Sequence, residues 1–362
     1  MRPFRIAVDA HVLDGKPQGS RTWLRETLAR AVPAAPEIRW LLHAHDSASL
    51  GPLAALPNVA FRPIPYRRSI ARLGVYWPRV MAQREADFYL FQYHGPPVYR
   101  ERQIVVLHDL LFESHPEFFP PLMRKRLQTL VRGGARRAAA VLTVSDWTRG
   151  EIARRYALPP GRVFLAPNGA PVFRGGRAGD GKTVLFVGRI EPRKNLALLL
   201  DALDLMTTPD RRLVVIGRPD FGSEAVIARM EGREDVAFLP DASDEILAGW
   251  YRRAGVLAYP SRGEGFGIPL VEALSLGLPV VASTATAIPE VAGPFARYFD
   301  PDAVEARQRL ASLLDAALAD ATPPATDAIT HHLSRFTWEK SAEGLLAAIF
   351  HAADQRDGRR AS

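Results

Sequence analysis

Two doubly wound α/β domains, each a parallel sheet with helices on both faces, are the architecture this sequence predicts. The chain has 362 residues, about two average domains. Strand-like and helix-like stretches alternate along it, the pattern of βαβ units. A glycine-rich run, RGGRAGDGK at 174–182, divides that alternation in two and reads as an inter-domain linker. The expected organisation is a first domain over 1–175 and a second over 176–335. A C-terminal helix within 336–362 is expected to pack back on the first domain and end in a frayed tail.

In the first half, FRIAVDA, WLLHAH, QIVVLHDLL and AAAVLTVS are apolar runs bounded by Pro, Gly or charge, and read as strands. RTWLRETLARAV and PLMRKRLQTLVRGGARRA repeat apolar residues three and four apart, the spacing of one helix face. In the second half TVLFVGRI, RRLVVIGRP, DVAFLP, VLAYPS and PVVAS read as strands. Helices are expected from Asn195, near 223–232, over EILAGWYRRA and over PLVEALSLG. TWEKSAEGLLAAIFHAA, 337–353, reads as a last amphipathic helix, with DQRDGRRAS as the frayed tail, and ALADATPPATDA, 317–328, as a helix end and loop.

Apolar content of 47% and charged content of 24% suit globular domains with their own cores. The chain has no cysteine, which excludes disulfides, thiolate metal sites and a Cys nucleophile. The first residues lack the apolar core of a signal peptide, and no run approaches the roughly 20 apolar residues of a membrane span. The expected location is therefore cytoplasmic. The net charge of +8 is uneven: residues 1–170 hold 25 Lys+Arg against 13 Asp+Glu, and the remainder is slightly acidic. A basic first half suits an anionic partner.

The most informative stretch is AYPSRGEGFGIPLVEALSLGLPVVAS, 258–283. After a strand, Gly263, Gly265 and Gly267 alternate with Glu264 and Phe266, and Pro269 opens a helix at a position where its missing N–H costs nothing. Free amides at that helix start would face a ligand over the loop. Glu264 and Glu272 are placed to accept hydrogen bonds from vicinal hydroxyls. Taken alone, a Glu pair is usually a solvated helix face; the Gly-rich strand-to-helix turn makes a binding role the stronger reading. The second constellation is FVGRIEPRKNL, 186–196. A strand delivers Gly188, and Arg189, Arg193 and Lys194 precede a helix start at Asn195, which together suit a diphosphate. Fixed cations there would stabilise the charge that develops on a departing nucleoside diphosphate.

These motifs resemble family 4 glycosyltransferases of the GT-B type. Glu264 and Glu272 match the family's E-x7-E pattern, and Gly188, Arg189, Lys194 and Asn195 match GR(I/L)xxxKN. Pro167, Asn168 and Gly169 match its PNG turn. The resemblance spans nearly the whole chain in the family's motif order, and implies two Rossmann-like domains facing a central cleft. It also implies roles. Arg189 and Lys194 hold the diphosphate, Glu272 the ribose hydroxyls and Glu264 a sugar hydroxyl. Gly265, Phe266, Gly267 and Ile268 line the donor sugar, with amides offered from Phe266 and Gly267. His108 sits near the reacting centre, and Asp109 fixes its loop or its tautomer. Gly19 and Ser20 occupy the place of the family's N-terminal glycine loop, although GSRTW departs from the commoner GIGRY-like form.

The implied reaction is retaining transfer of a hexose from a nucleotide diphosphate sugar to a glycan or lipid-diphosphate-linked acceptor in cell-surface polysaccharide synthesis. The GSRT form points to a bacterial mannosyltransferase using GDP-mannose. No metal or other cofactor is implied; the one Asp-x-Asp, Asp300–Asp302, reads as a turn. Glu264 as a covalent nucleophile is the alternative by analogy with retaining glycosidases. Tyr66, Arg67, Arg68, Arg72 and Arg79 among Ile70, Leu73, Val75 and Trp77, with the basic helix 121–137, suggest an anionic membrane surface; a solvated basic face is the plain alternative. A nucleotide-sugar epimerase of the same shape is the nearest rival. A nucleic-acid binder is disfavoured, because aromatics are not interleaved with the arginines.

Overall fold

The structure is a computed structural model that describes residues 4–15, 18–170, 176–320 and 326–361. It divides into two compact units, Met1–Gly169 with Thr337–Ser362, and Ala170–Phe336. Both sheets are wholly parallel, and both chain orders reverse in the middle.

The first unit contains β1 (Phe4–Asp9), β2 (Ile38–Ala44), β3 (Val59–Pro63), β4 (Phe88–Gln92), β5 (Gln103–Leu107), β6 (Ala140–Thr143) and β7 (Val163–Leu165). Their order is β3-β2-β1-β4-β5-β6-β7. β5 and β6 are buried along their whole length, because helices cover both faces of a parallel sheet. That is why they read as continuous apolar runs. The second unit contains β8 (Thr183–Val187), β9 (Arg212–Ile216), β10 (Val236–Leu239), β11 (Val256–Tyr259), β12 (Val280–Ser283) and β13 (Ala296–Phe299), in the order β10-β9-β8-β11-β12-β13. Its core joins Val184, Phe186 and Val256 to Leu199, Leu203, Leu310 and Leu314 of the helices Leu196–Leu205 and Ala306–Ala319. In such sheets ligands bind beyond the carboxyl ends of the strands where the order reverses. In the second unit that point lies between β8 and β11, whose following loops carry the two motifs.

Two expectations are corrected. Residues 174–175 of the supposed linker lie outside the described residues, and 176–182 belong to the second unit. There the Ala178 and Asp180 amides donate to the Arg252 and Arg253 carbonyls at the end of the helix Asp244–Arg253. A helix end leaves carbonyls without intrahelical donors, so this segment is recruited to them. The final helix does not fray at 354 but runs from Trp338 to Ala361; Arg356 pairs with Asp87 at 2.8 Å and lies over the rings of Phe4 and Phe88. Of the Ala/Pro stretch at 317–328, residues 321–325 lie outside the described residues.

That last helix packs on the first unit. Ser341 and Thr27 share a hydrogen bond of 2.8 Å, Arg30 donates to Glu339 at 2.8 Å, and Leu345, Ala348 and Ile349 are buried. A Cβ on Gly344 would overlap the Leu165 carbonyl. Gly344→Ala should therefore destabilise the protein despite alanine's better helix propensity, by roughly 1–3 kcal/mol as overpacking does. A thermal melt at or above the wild-type midpoint would refute this packing.

Candidate active site

β8 is followed by Gly188, whose φ of +153° suits glycine. Its neighbour across the sheet, Gly217, has φ +149°, and any Cβ there would overlap the Gly188 carbonyl. The chain then makes a short 3-10 turn, Pro192–Lys194, and Asn195 takes the left-handed conformation (φ +57°) before the helix Leu196–Leu205. After β11, Gly267 (φ +102°) turns the chain into the helix Ile268–Ser275, with Pro269 in its first turn. Phe266 is buried edge-on to Phe336, with ring centroids 5.3 Å apart. The helix start leaves the Ile268 amide without an intrahelical acceptor, beside Gly265 and Gly267.

The two loops meet through charge. The Lys194 ammonium donates to Glu264 Oε1 at 2.5 Å, and Arg193 Nη1 donates to Glu264 Oε2 at 2.9 Å and to the Gly263 carbonyl at 2.8 Å. Arg193 also pairs with Glu191 at 2.7 Å. Lys194 and Glu264 are 7% and 6% exposed, so this pair is desolvated. Burial pushes the Glu264 carboxyl up, but Arg193 and Lys194 outweigh it and hold the group down at about 2. Thr286 fixes the Glu264 backbone, accepting from its amide at 2.8 Å and donating to its carbonyl at 2.9 Å. Lys194 also lies 5.3 Å from the centre of the Tyr259 ring.

Glu272, a turn into the second helix, accepts from the Tyr251 hydroxyl at 2.5 Å. Burial pushes its carboxyl up to about 7; the Tyr251 hydrogen bond opposes that rise and Asp244 adds to it. Tyr259, at the end of β11, feels both Glu264 and Glu272, which places the two carboxylates around one tyrosine. One is held ionised and the other sits near its midpoint at neutral pH.

Arg189 does not join this cluster. Its guanidinium, half exposed, pairs with Asp220 in the loop after β9. The isolated sequence offers Arg189 an anion, but the fold offers it a nearby carboxylate first. Arg193 is the arginine that stands with Lys194.

In the first unit, Gly19 and Ser20 open the helix Gly19–Ala34, and His108 follows β5. Gln92, the last residue of β4, links them: its Nε2 donates to the Ser20 carbonyl at 3.2 Å and its Oε1 lies 3.0 Å from His108 Nε2. A carbonyl can only accept, so the amide oxygen of Gln92 faces the imidazole. His108 Nε2 therefore carries the proton and Nδ1 is left as an acceptor. Burial pushes His108 down to about 4, so the ring is neutral at pH 7. Trp23 meets the ring edge-on at 5.6 Å and donates to the Ala166 carbonyl at 2.9 Å. Asp109 holds the loop, accepting from the Leu111 amide at 3.0 Å and the Tyr93 hydroxyl at 2.9 Å, and the tautomer falls to Gln92 instead.

One other reading changes, and the turn at Asp300–Asp302 is as expected. Arg72 and Trp77 are buried, Arg72 beside Asp9 at 3.3 Å and Trp77 in the core, so neither belongs to a basic surface. Asp300 accepts from the Asp302 amide at 3.0 Å and Asp302 pairs with Arg262, which makes the Asp-x-Asp a turn. Gln92, Tyr251, Tyr259 and Thr286 escaped the sequence reading. Only Tyr259 stood inside a motif; the other three reach the site by tertiary placement.

Fold comparison places the structure among two-domain GT-B proteins. The Anabaena protein HepE in complex with UDP aligns over 96% of this chain and 99% of its own, at 19% identity and a TM-score of 0.69. WaaG, a glycosyltransferase involved in lipopolysaccharide biosynthesis, aligns over 96% and 99% at 16% identity and a TM-score of 0.66. Residues 19–172 match the family model described as Glycosyltransferase Family 4, and residues 172–324 the model described as Glycosyl transferases group 1. The chain belongs to the family 4 glycosyltransferases. O-antigen chain mannosyltransferase B of Escherichia coli is 31% identical over 63% of this chain and 66% of its own. A D-inositol 3-phosphate glycosyltransferase of Jonesia denitrificans is 30% identical over 58% and 56%. The matched part thus spans between half and two thirds of these curated relatives. Among the described residues, no helix is long and apolar enough to cross a membrane.

Proposed function

We propose that the protein is a retaining glycosyltransferase that moves a hexose from a nucleotide diphosphate sugar onto a glycan or lipid-linked glycan acceptor in polysaccharide synthesis. The observation that carries this reading is the buried Lys194–Glu264–Arg193 cluster at the strand-order reversal of the second unit, next to an amide-rich helix start. Mannose from GDP-mannose is the first donor to test. It is favoured by the E. coli mannosyltransferase, to which the chain is similar. Incubating the protein with GDP-mannose, UDP-glucose, UDP-galactose and UDP-N-acetylglucosamine, and following nucleoside diphosphate release, tests this. Faster release from a UDP-sugar than from GDP-mannose would reject the mannose assignment and leave the transferase intact.

In this reading the second unit binds donor and the first binds acceptor. Lys194 and Arg193 face the diphosphate, with Arg189 recruited on exchanging Asp220 for phosphate. Gly188 and Asn195 shape the turn that presents these cations. Glu272 accepts from the ribose hydroxyls and Glu264 from a sugar hydroxyl. Gly265, Phe266, Gly267 and Ile268 supply the amide-lined wall. The acceptor hydroxyl attacks the donor's anomeric carbon on the face from which the phosphate departs. The carbon–oxygen bond to phosphate breaks as the new glycosidic bond forms, and the acceptor's proton passes to the leaving phosphate oxygen. The configuration is thereby kept without a protein nucleophile. Glu264, with each oxygen held by a cation, is a poor candidate for that role.

His108 contributes as a neutral acceptor through Nδ1, oriented by Gln92. Gln92→Leu removes the partner that fixes the ring, and should lower kcat roughly tenfold or more, the order expected when an oriented group is misplaced. Gln92→Glu, which still accepts from Nε2, should recover most of the rate. Equal losses in both variants would remove Gln92 from this role.

The basic helix Pro121–Arg137 leaves Leu122 and Met123 exposed beside Lys125 and Arg126. Such a face suits the surface of an anionic membrane. Leu122→Glu should reduce co-sedimentation with phosphatidylglycerol vesicles, and no sedimentation of the wild type at low salt would refute the membrane contact.

A further inference from the structure

The first unit has a polar concavity at the end of its sheet away from His108. β4, β5 and β6 are parallel, so their amino-terminal ends lie on the edge opposite Gln92 and His108. At that edge is a pocket of about 790 Å3, well within the size of small-molecule sites. Arg100, Arg102, Arg136, Arg137, Arg162 and Arg356 line it, against one lining carboxylate, Glu101.

Arg356 is balanced by Asp87. Among the described residues, Arg100, Arg102, Arg136 and Arg137 form no ion pair. Arg100 and Arg136 each donate to a backbone carbonyl, of Gly133 and Tyr156, both at 3.1 Å. Those bonds hold the guanidinium groups in place and use one of the five donors of each. Burial, with a smaller part from the neighbouring Arg137, pulls the Arg100 guanidinium below its ordinary value. The cations come from separate segments: the turn before β5, the end of the helix 121–137, the residue before β7 and the last helix. An ordinary basic face spreads its charges into solvent, whereas these converge on a hollow.

We propose that this pocket binds a phosphate-bearing anion, separately from the donor site. Guanidinium forks match phosphate oxygens in pairs, and several such forks around one hollow suit a ligand with two or more adjacent negative charges. That chemistry is shared by a soluble diphosphate and by the head of an anionic lipid.

The test is a calorimetric titration of the full chain with inorganic pyrophosphate at low salt. The donor site would also take pyrophosphate, so the readout is the number of sites. The wild type should show two and Lys194→Ala one. Arg137→Glu, at an exposed residue outside the core, should abolish the remaining site or weaken it tenfold or more. Arg307→Glu, the same charge change at an exposed position outside the pocket, should leave it within twofold. Stoichiometry and affinity unchanged by Arg137→Glu would overturn the pocket whatever Lys194→Ala does. So would equal weakening by Arg307→Glu. Loss of sites with Lys194→Ala alone would speak only to the donor site. The source is separated by phosphatidylglycerol vesicles. Sedimentation that pyrophosphate inhibits and Arg137→Glu lowers assigns a lipid head, and pyrophosphate binding without such sedimentation assigns a soluble ligand.

Discussion

Lys194→Ala should lower turnover about 100- to 1,000-fold, corresponding to roughly 3–4 kcal/mol of lost transition-state stabilisation, as removing one preorganised electrostatic partner does. The ammonium's value rises as the diphosphate departs and its charge grows, so kcat should fall more than KM rises. The same variant disturbs the fold through Glu264, which is left buried with Arg193 as its one strong cation. A carboxylate that loses one of two charge-assisted hydrogen bonds costs about 1–3 kcal/mol, so melting should fall by several degrees without abolishing folding. Acid sensitivity carries a further signature. Glu264 is held at about 2 in the folded protein against an ordinary 4.5. Its contribution to stability is complete above about 4.5 and is lost as pH falls towards 2. Lys194→Ala should flatten that decline, because less of the downward shift remains. Normal turnover in a protein that melts lower would separate the two roles and reject the catalytic one.

Glu272→Gln should weaken nucleoside diphosphate binding roughly 10- to 100-fold at pH 8, by removing a charged acceptor from two hydroxyls. The wild-type carboxyl sits at about 7, so the free protein is largely protonated at pH 6 and ionised at pH 8. Binding that requires the carboxylate must therefore tighten as pH rises through about 7. The glutamine variant should lose that slope. Stability runs the other way: a folded-state value raised above the ordinary one means the folded protein holds its proton longer, so this group's contribution declines as pH rises from about 4.5 to 7. The variant should accordingly melt higher than the wild type at pH 8 and alike at pH 4. A wild-type affinity flat between pH 6 and 8 would remove Glu272 from the ribose.

The two-domain fold was legible because parallel strands covered on both faces are short apolar runs, and glycines and prolines punctuate them. β5, β6, β8 and β11 stand out in that way. β3 and β7 do not: they are brief, part-exposed edge strands, and β3 carries Arg62 and Pro63. β4 is a buried five-residue run like β5, bounded by Asp87 and by Gly95-Pro96-Pro97, and overlooking it meant overlooking Gln92 at its end. The site motifs were legible because local backbone demands select their residue types, as at Gly188 and Gly267. Side-chain pairing was not, since it depends on what the fold brings near. Nothing in GRIEPRKN says that Arg189 will meet Asp220 from the loop after β9, or that Arg193 will reach Glu264 some 70 residues on. Arg72 and Trp77 likewise looked like surface because their segment is basic, yet Asp9 and the aromatic core draw them inward.

The claim on which the rest depends is that the loop after β8 grips a diphosphate, and calorimetry on the full chain tests it most directly. GDP, GMP, UDP and UMP are titrated in turn against the wild type and Lys194→Ala. For at least one base, the diphosphate should bind the wild type ten times or more tighter than its monophosphate, and the advantage should shrink to within a few-fold in the variant. A monophosphate that binds as tightly as its diphosphate, or an advantage that survives the loss of Lys194, would contradict the account.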